Sequence, residues 1–300
     1  MIPNAFCYQK VRIAASGYEL PPNVTLSEEL EDRLEPLYKT LRIQKGQLAA
    51  MTGVRERRFW SPGYSMSKGA IAAGKKALAH GNVHPESIGM LVYGGVCREN
   101  LEPATACAVA HGLGISADAL VYDLSNACLG IVNGMIQVAN AIELGQIEAG
   151  LVVSCESARE IVDSTLDRML KNPEMAMFRK TVATLTGGSG AAAVLLTAPH
   201  MAQNGHRLLG GVAKNATRHH DLCTWGPDTG IPSTLPLVMN TDAVGVLKYG
   251  VALGIETFNA FRTLFSLPDQ KPDKIICHQV GSAHQQTILD ALRIDREKDF

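Results

Sequence analysis

The sequence is short of charge, of aromatic rings and of long hydrophobic runs. Charged residues make up 19% and aromatics 5% of the chain, where an average soluble domain carries roughly 25% charge. Basic and acidic residues nearly cancel, 28 against 29, leaving a net charge of −1. No broad basic field exists to hold a phosphate backbone, so nucleic acid is not expected as a partner. The longest unbroken apolar runs are brief, such as 191–196, and the stretch 131–142 is interrupted by Asn133, Gln137 and Asn140. None approaches the roughly 20 apolar residues that span a bilayer. No apolar run follows a positive cluster near Met1, so a secretory leader is not expected. The seven cysteines include no Cys-x-x-Cys pair and no Cys/His group with zinc spacing. These absences point to a reduced, cytoplasmic protein without a metal, whose thiols are mostly small buried hydrophobes.

What the sequence has is apolar mass. At 46% hydrophobic over 300 residues, disorder is excluded. A chain of this length buries on the order of three quarters of its unfolded surface and needs no staples. The scarcity of surface charge suggests cover by another subunit.

Strand and helix signals alternate, which predicts α/β layers. Strands are expected at 11–15, 88–93, 119–122, 150–154, 191–196 and 274–277, and several of these are unalternated apolar runs suited to burial on both faces. Thr25-Leu26-Ser27-Glu28 reads as a capping box opening a helix to about Leu41. Further helices are expected at 65–79 and 126–144. The latter is apolar on nearly every face and so reads as a central helix. A helix followed by His84-Pro85-Glu86 has a counterpart in a helix followed by Lys271-Pro272-Asp273. That repeat predicts two halves, 1–200 and 201–300, with the second cut short before its own central helix.

Cys128 follows a strand and opens the central helix, where free N–H groups would lower a thiol pKa and receive an oxyanion. A packed core cysteine is the plain alternative. His278 follows strand 274–277, at the kind of strand end where α/β folds place chemistry, and could take a proton there. Glu102 lies in a loop after strand 88–93 and would be a base only if desolvated; a solvated loop charge is the simpler reading. Arg55 and Arg58 with Trp60 form a basic-aromatic cluster that could meet a nucleotide phosphate and an adenine ring. Gly187-Gly188-Ser189-Gly190 lacks the lysine of a phosphate loop and reads as a tight turn.

Three segments together resemble the thiolase superfamily in its 3-oxoacyl-ACP synthase III branch. They are Thr52 through Arg58, Asp123 through Gly130, and Ile276 through Val280. Within that branch, Arg98 through Ala104, Ser125 through Met135 and Leu185 through Ala193 are most similar to the head-to-head acyl-CoA condensing enzymes of bacterial long-chain olefin synthesis. The resemblance implies two pseudo-repeated βαβαβαββ halves in α-β-α-β-α layers, assembled as a homodimer. It implies Cys128 as the nucleophile that takes an acyl group from an acyl-CoA. His278 would hold an enolate oxygen, and Glu102 would be the base, reaching the partner subunit. CoA enters as a thioester substrate rather than a resident cofactor, with Arg55, Arg58 and Trp60 as its candidate contacts and an acyl carrier protein as a further candidate partner. The family's asparagine in a Gly-Asn segment and its Gly-rich loop do not occur before Phe300. The chain is therefore expected to condense poorly even if Cys128 still acylates. Other readings are an initiating synthase using malonyl-ACP, a thioesterase, and an inactive truncated paralogue serving as a binding subunit.

Overall fold

A computed structural model describes residues 5–202, 204–227, 237–267, 272–278 and 281–295. In chain order the first half holds β1 (Ala5–Cys7), β2 (Arg12–Glu19), β3 (Asn23–Leu26), α1 (Ser27–Arg33), α2 (Glu35–Leu41), α3 (Gln47–Thr52), β4 (Glu56–Phe59) and α4 (Met66–Gly81). Then come β5 (Met90–Gly94), α5 (Thr105–Leu113), β6 (Leu120–Leu124), α6 (Gly130–Glu143), β7 (Ala149–Glu156), α7 (Arg159–Lys171), α8 (Met175–Thr181) and β8 (Gly190–Thr197). The rest comprises β9 (His206–Arg207), β10 (Gly210–Val212), β11 (Cys223–Pro227), β12 (Leu237–Thr241), α9 (Ala243–Leu264) and α10 (Ser282–Leu292).

The main sheet has the order β6-β5-β7-β8-β2-β9. Strands β6, β5 and β7 run parallel, whereas β8, β2 and β9 join by antiparallel pairing. Unalternated apolar sequence produces this arrangement because both faces are covered. Leu91, Tyr93, Leu151, Val153 and Leu195 turn to α4 and α5 and share a core with Ala70, Ala73 and Ala77. Met90, Val92, Val152 and Leu196 turn the other way and pack on Val138, Ala139 and Ile142 of α6. A third core joins Leu30, Leu37 and Leu48 of α1–α3 to Val162, Leu166 and Phe178 of α7 and α8.

Several expectations are corrected. The helix predicted from residue 25 begins two residues later, because Thr25 is paired to Arg57 in the β3–β4 ladder. The cap is made by Glu29, whose carboxylate accepts from the Leu26 N–H at 3.1 Å. That helix also breaks at Leu34 into α1 and α2, with Pro36 in the first turn of α2. The run 274–277 forms only a bridge at Ile275 among the described residues, and Ile276 is 77% exposed. Of the seven cysteines only Cys155 is buried; Cys7, Cys107, Cys128 and Cys223 are exposed. Among the described residues no helix is long and apolar enough to cross a membrane. The glycine turn is structural: Ser189 N–H donates to Arg58 O, and Ser189 Oγ accepts from Ala158 N–H.

Candidate functional site

The site forms where the parallel strands β5 and β6 end side by side, with Gly94 opposite Leu124. Beyond Leu124 the chain turns sharply. Residues Ala127–Leu129 make a 3-10 turn before α6 begins at Gly130. Ala127 has φ = 44°, a left-handed conformation that side chains disfavour. The turn is pressed against the neighbouring strand end: a Cβ built on Gly130 would lie 2.7 Å from the Gly94 carbonyl carbon. Gly130→Ala is expected to destabilise the fold by about 1–3 kcal/mol, read as a lower urea midpoint. Slower modification of Cys128 should accompany it, because the neighbouring turn has to shift.

That backbone holds Cys128 out to solvent. The thiol stands in the 3-10 turn, one step before the helix rather than inside its first turn. Its pKa is raised, not lowered as the helix-terminus argument expected. Burial of the sulfur's inner side raises it most, followed by the nearby Cys223; the residue's own N–H works the other way, and Glu156 adds to the rise. At a given pH Cys128 therefore carries less thiolate than an ordinary cysteine. Its alkylation by iodoacetamide, followed by peptide mapping, should keep accelerating above the pH at which a free thiol levels off. Replacing Cys223 by alanine should move that curve to lower pH; an unmoved curve would disprove the coupling.

Glu102 sits at the tip of the loop 95–104 that follows β5. Leu101 is 86% exposed, and Glu102 and Pro103 are exposed beside it. Glu102 makes no hydrogen bond or ion pair among the described residues. His278 is exposed and likewise forms no hydrogen bond to Cys128 among the described residues; Gln279 and Val280 of its segment lie outside them.

The predicted basic-aromatic cluster does not open onto a ligand as a unit. Trp60 is 2% exposed, its ring stacks on Tyr64 at 4.2 Å, and its N–H donates to Glu156 O at 3.1 Å. No face is left for an adenine. Arg58 donates to Pro21 O at 3.2 Å, while Arg55 is exposed. Between them Arg57 turns inward to Ser27 Oγ at 2.8 Å, and burial lowers its pKa.

Other cations occupy the better position. A cavity of about 1080 Å³ is lined by Arg42, Arg179 and Lys180 and by apolar Met51, Met175 and Phe178. Asp221 and Asp242 also line it, and Asp242 is engaged in capping α9 through Gly245 N–H. Leu222 and Thr241 line it too, and Thr241 Oγ1 lies 3.5 Å from Cys223 Sγ. Cys223 in turn is the thiol that Cys128 feels. Sequence reasoning missed these cations because they come from the end of α2 and the last turn of α8, 137 residues apart (179 − 42). Only the adjacent pair Arg179-Lys180 was a visible signal.

Known proteins are similar to this chain in sequence and fold. The 3-oxoacyl-[acyl-carrier-protein] synthase III family model matches residues 122–215, a span that contains the turn carrying Cys128. An acyl-CoA:acyl-CoA alkyltransferase of Shewanella oneidensis is 49% identical over 98% of this chain and 85% of its own length. Cerulenin-bound OleA of Xanthomonas campestris superposes with a TM-score of 0.91 at 33% identity, over 98% of this chain and 83% of that one. A cysteine-to-serine OleA variant with bound lauric acid and lauroyl-CoA gives a TM-score of 0.90 at 32% identity, over 98% and 84%. On identity and coverage alike, the chain belongs to the acyl-CoA:acyl-CoA alkyltransferase family, the OleA-type condensing enzymes of the thiolase superfamily.

Proposed function

We propose that this chain joins two acyl-CoA thioesters head to head through an acyl-cysteine at Cys128. The observation that carries this reading is the exposed thiol on a strained turn at the end of β6, in a chain that also holds an apolar cavity lined by three cations. Such a cavity suits an amphiphile with phosphates at one end and a hydrocarbon tail at the other. Arg42, Arg179 and Lys180 are the proposed phosphate contacts, with Arg55 a peripheral one. The relatives' names and the bound lauroyl-CoA of one solved structure support the substrate class.

The chemistry proceeds in two halves. Cys128 loses its proton to a base, for which His278 is the candidate, and the thiolate attacks the carbonyl carbon of the first acyl-CoA. The C–S bond to CoA breaks, CoA leaves as the thiol after taking up a proton, and the acyl group stays on Cys128. A second acyl-CoA then gives its α proton to Glu102. Its carbanion attacks the acyl-cysteine carbonyl, a C–C bond forms, and the bond to Cys128 Sγ breaks. Water cleaves the remaining thioester, which yields a β-keto acid and the second CoA. His278 holds the enolate oxygen while charge develops there. The exposed Leu101-Glu102 tip fits delivery of the base to a second copy in a homodimer, and the β-keto acid fits use in olefin biosynthesis.

The test is intact mass after incubation with myristoyl-CoA, with analysis of the released products. One myristoyl group per chain together with a β-keto acid supports the reading. Free myristate without β-keto acid would make the chain a thioesterase; no adduct would make it a binding subunit.

A further inference from the structure

Three carboxylates near the site are not used by the reaction, and all three hold the same loop. The loop 95–104 leaves β5 and carries Glu102. At its beginning, Glu156 at the end of β7 accepts from Val96 N–H at 2.7 Å and from Cys97 N–H at 3.1 Å. Gly95 makes room for this, since a Cβ there would lie 2.8 Å from Glu156 Oε1. In the middle, Glu99 Oε1 accepts from Ser67 N–H at 3.0 Å, from Ser67 Oγ at 2.8 Å and from Ser65 Oγ, all at the start of α4. At its far end, Asp123 accepts from Thr105 N–H at 2.9 Å and Ala106 N–H at 2.8 Å, the first donors of α5.

These groups are occupied in a way that Glu102 is not. Asp123 and Glu156 commit both oxygens to backbone donors, and Glu99 gathers three donors on one oxygen. A carboxylate so engaged holds a position better than it moves a proton. Partial burial acts to raise the Glu99 carboxyl, but the bonds from Ser65 and Ser67 outweigh it and keep it below the usual range. Between the anchors only the exposed stretch 100–103 is left standing. Asp123 also lies in β6, inside the main sheet, so one carboxylate ties the base loop to the rigid sheet of the chain that carries it.

We infer that Glu99, Asp123 and Glu156 are positioning residues that fix the loop 95–104, so that Glu102 meets the second acyl-CoA at a set place. The inference rests on Glu102 being the base of the condensation step. Misplacing a reacting group by about 1 Å can cost on the order of a hundredfold in rate. The loss should fall on condensation alone, because acylation of Cys128 does not use the loop.

Glu99→Ala tests this in the full chain, with myristoyl-CoA as the probe. Adduct formation at Cys128 should stay within about twofold of wild type, while β-keto acid per acylated thiol falls about tenfold or more. Acyl-enzyme should accumulate, and hydrogen exchange of the peptide spanning 95–104 should quicken. Glu99→Gln, which keeps an acceptor oxygen for Ser67, should restore most of the ratio. A merely structural role would lower both half-reactions together and would not separate them. If the wild type condenses and Glu99→Ala condenses equally per acylated thiol, the anchoring claim falls alone. If the wild type forms the adduct but no β-keto acid, the condensation reading falls and takes this claim with it. Should Glu99→Ala not fold, Ser67→Ala decides by the same ratio, with no drop counting against the claim.

Discussion

Cys128→Ala is expected to take up no myristoyl group under conditions where the wild type gains one per chain, a loss on the order of a thousandfold or more in acylation rate. The variant is informative because Cys7, Cys107 and Cys223 are exposed as well, so simple accessibility would let several thiols compete. What separates Cys128 is its backbone. It alone stands on the strained turn between the end of β6 and the start of α6. Alanine keeps the turn and removes only the sulfur. Intact mass and peptide mapping read the result. An adduct that persists in Cys128→Ala and maps to Cys223 would move the nucleophile to the neighbouring strand and undo the assignment.

Glu102→Ala should divide the reaction. Acylation of Cys128 is expected to run at the wild-type rate, while β-keto acid formation drops by about 10²–10⁴-fold, the usual share of a general base. The fold should be untouched, since Glu102 is exposed and holds no hydrogen bond among the described residues. Equal thermal midpoints and equal adduct yields would establish that. Accumulated acyl-enzyme, seen by mass, should hydrolyse slowly to free acid. Unchanged β-keto acid output would mean that some other group removes the α proton.

Much of this was legible in the sequence because its causes are local. Unalternated runs in β5 and β7 announce strands covered on both faces, and the segment from Asp123 to Gly130 announces a strand running into a helix. Other features have causes far along the chain. The raised thiol pKa comes from surrounding protein and from Cys223, 95 residues away (223 − 128), against which a helix-terminus argument has no force. The cluster at Arg55, Arg57, Arg58 and Trp60 looked open because it was read without its strand. Once β4 pairs with β3, a period of two sends Arg57 and Phe59 inward. The cations of the cavity belong to two helix ends that only folding brings together.

The direction of the strands has a further consequence. The cysteine, the glutamate and the carboxylate of Glu156 all emerge from the same edge of the sheet, because β6, β5 and β7 point the same way. The segment 197–202 leaves at the opposite edge, beside Ala149 where β7 begins. Growth or shrinkage of the chain there would change the molecule's outline at the end of the sheet away from Cys128 and Glu102.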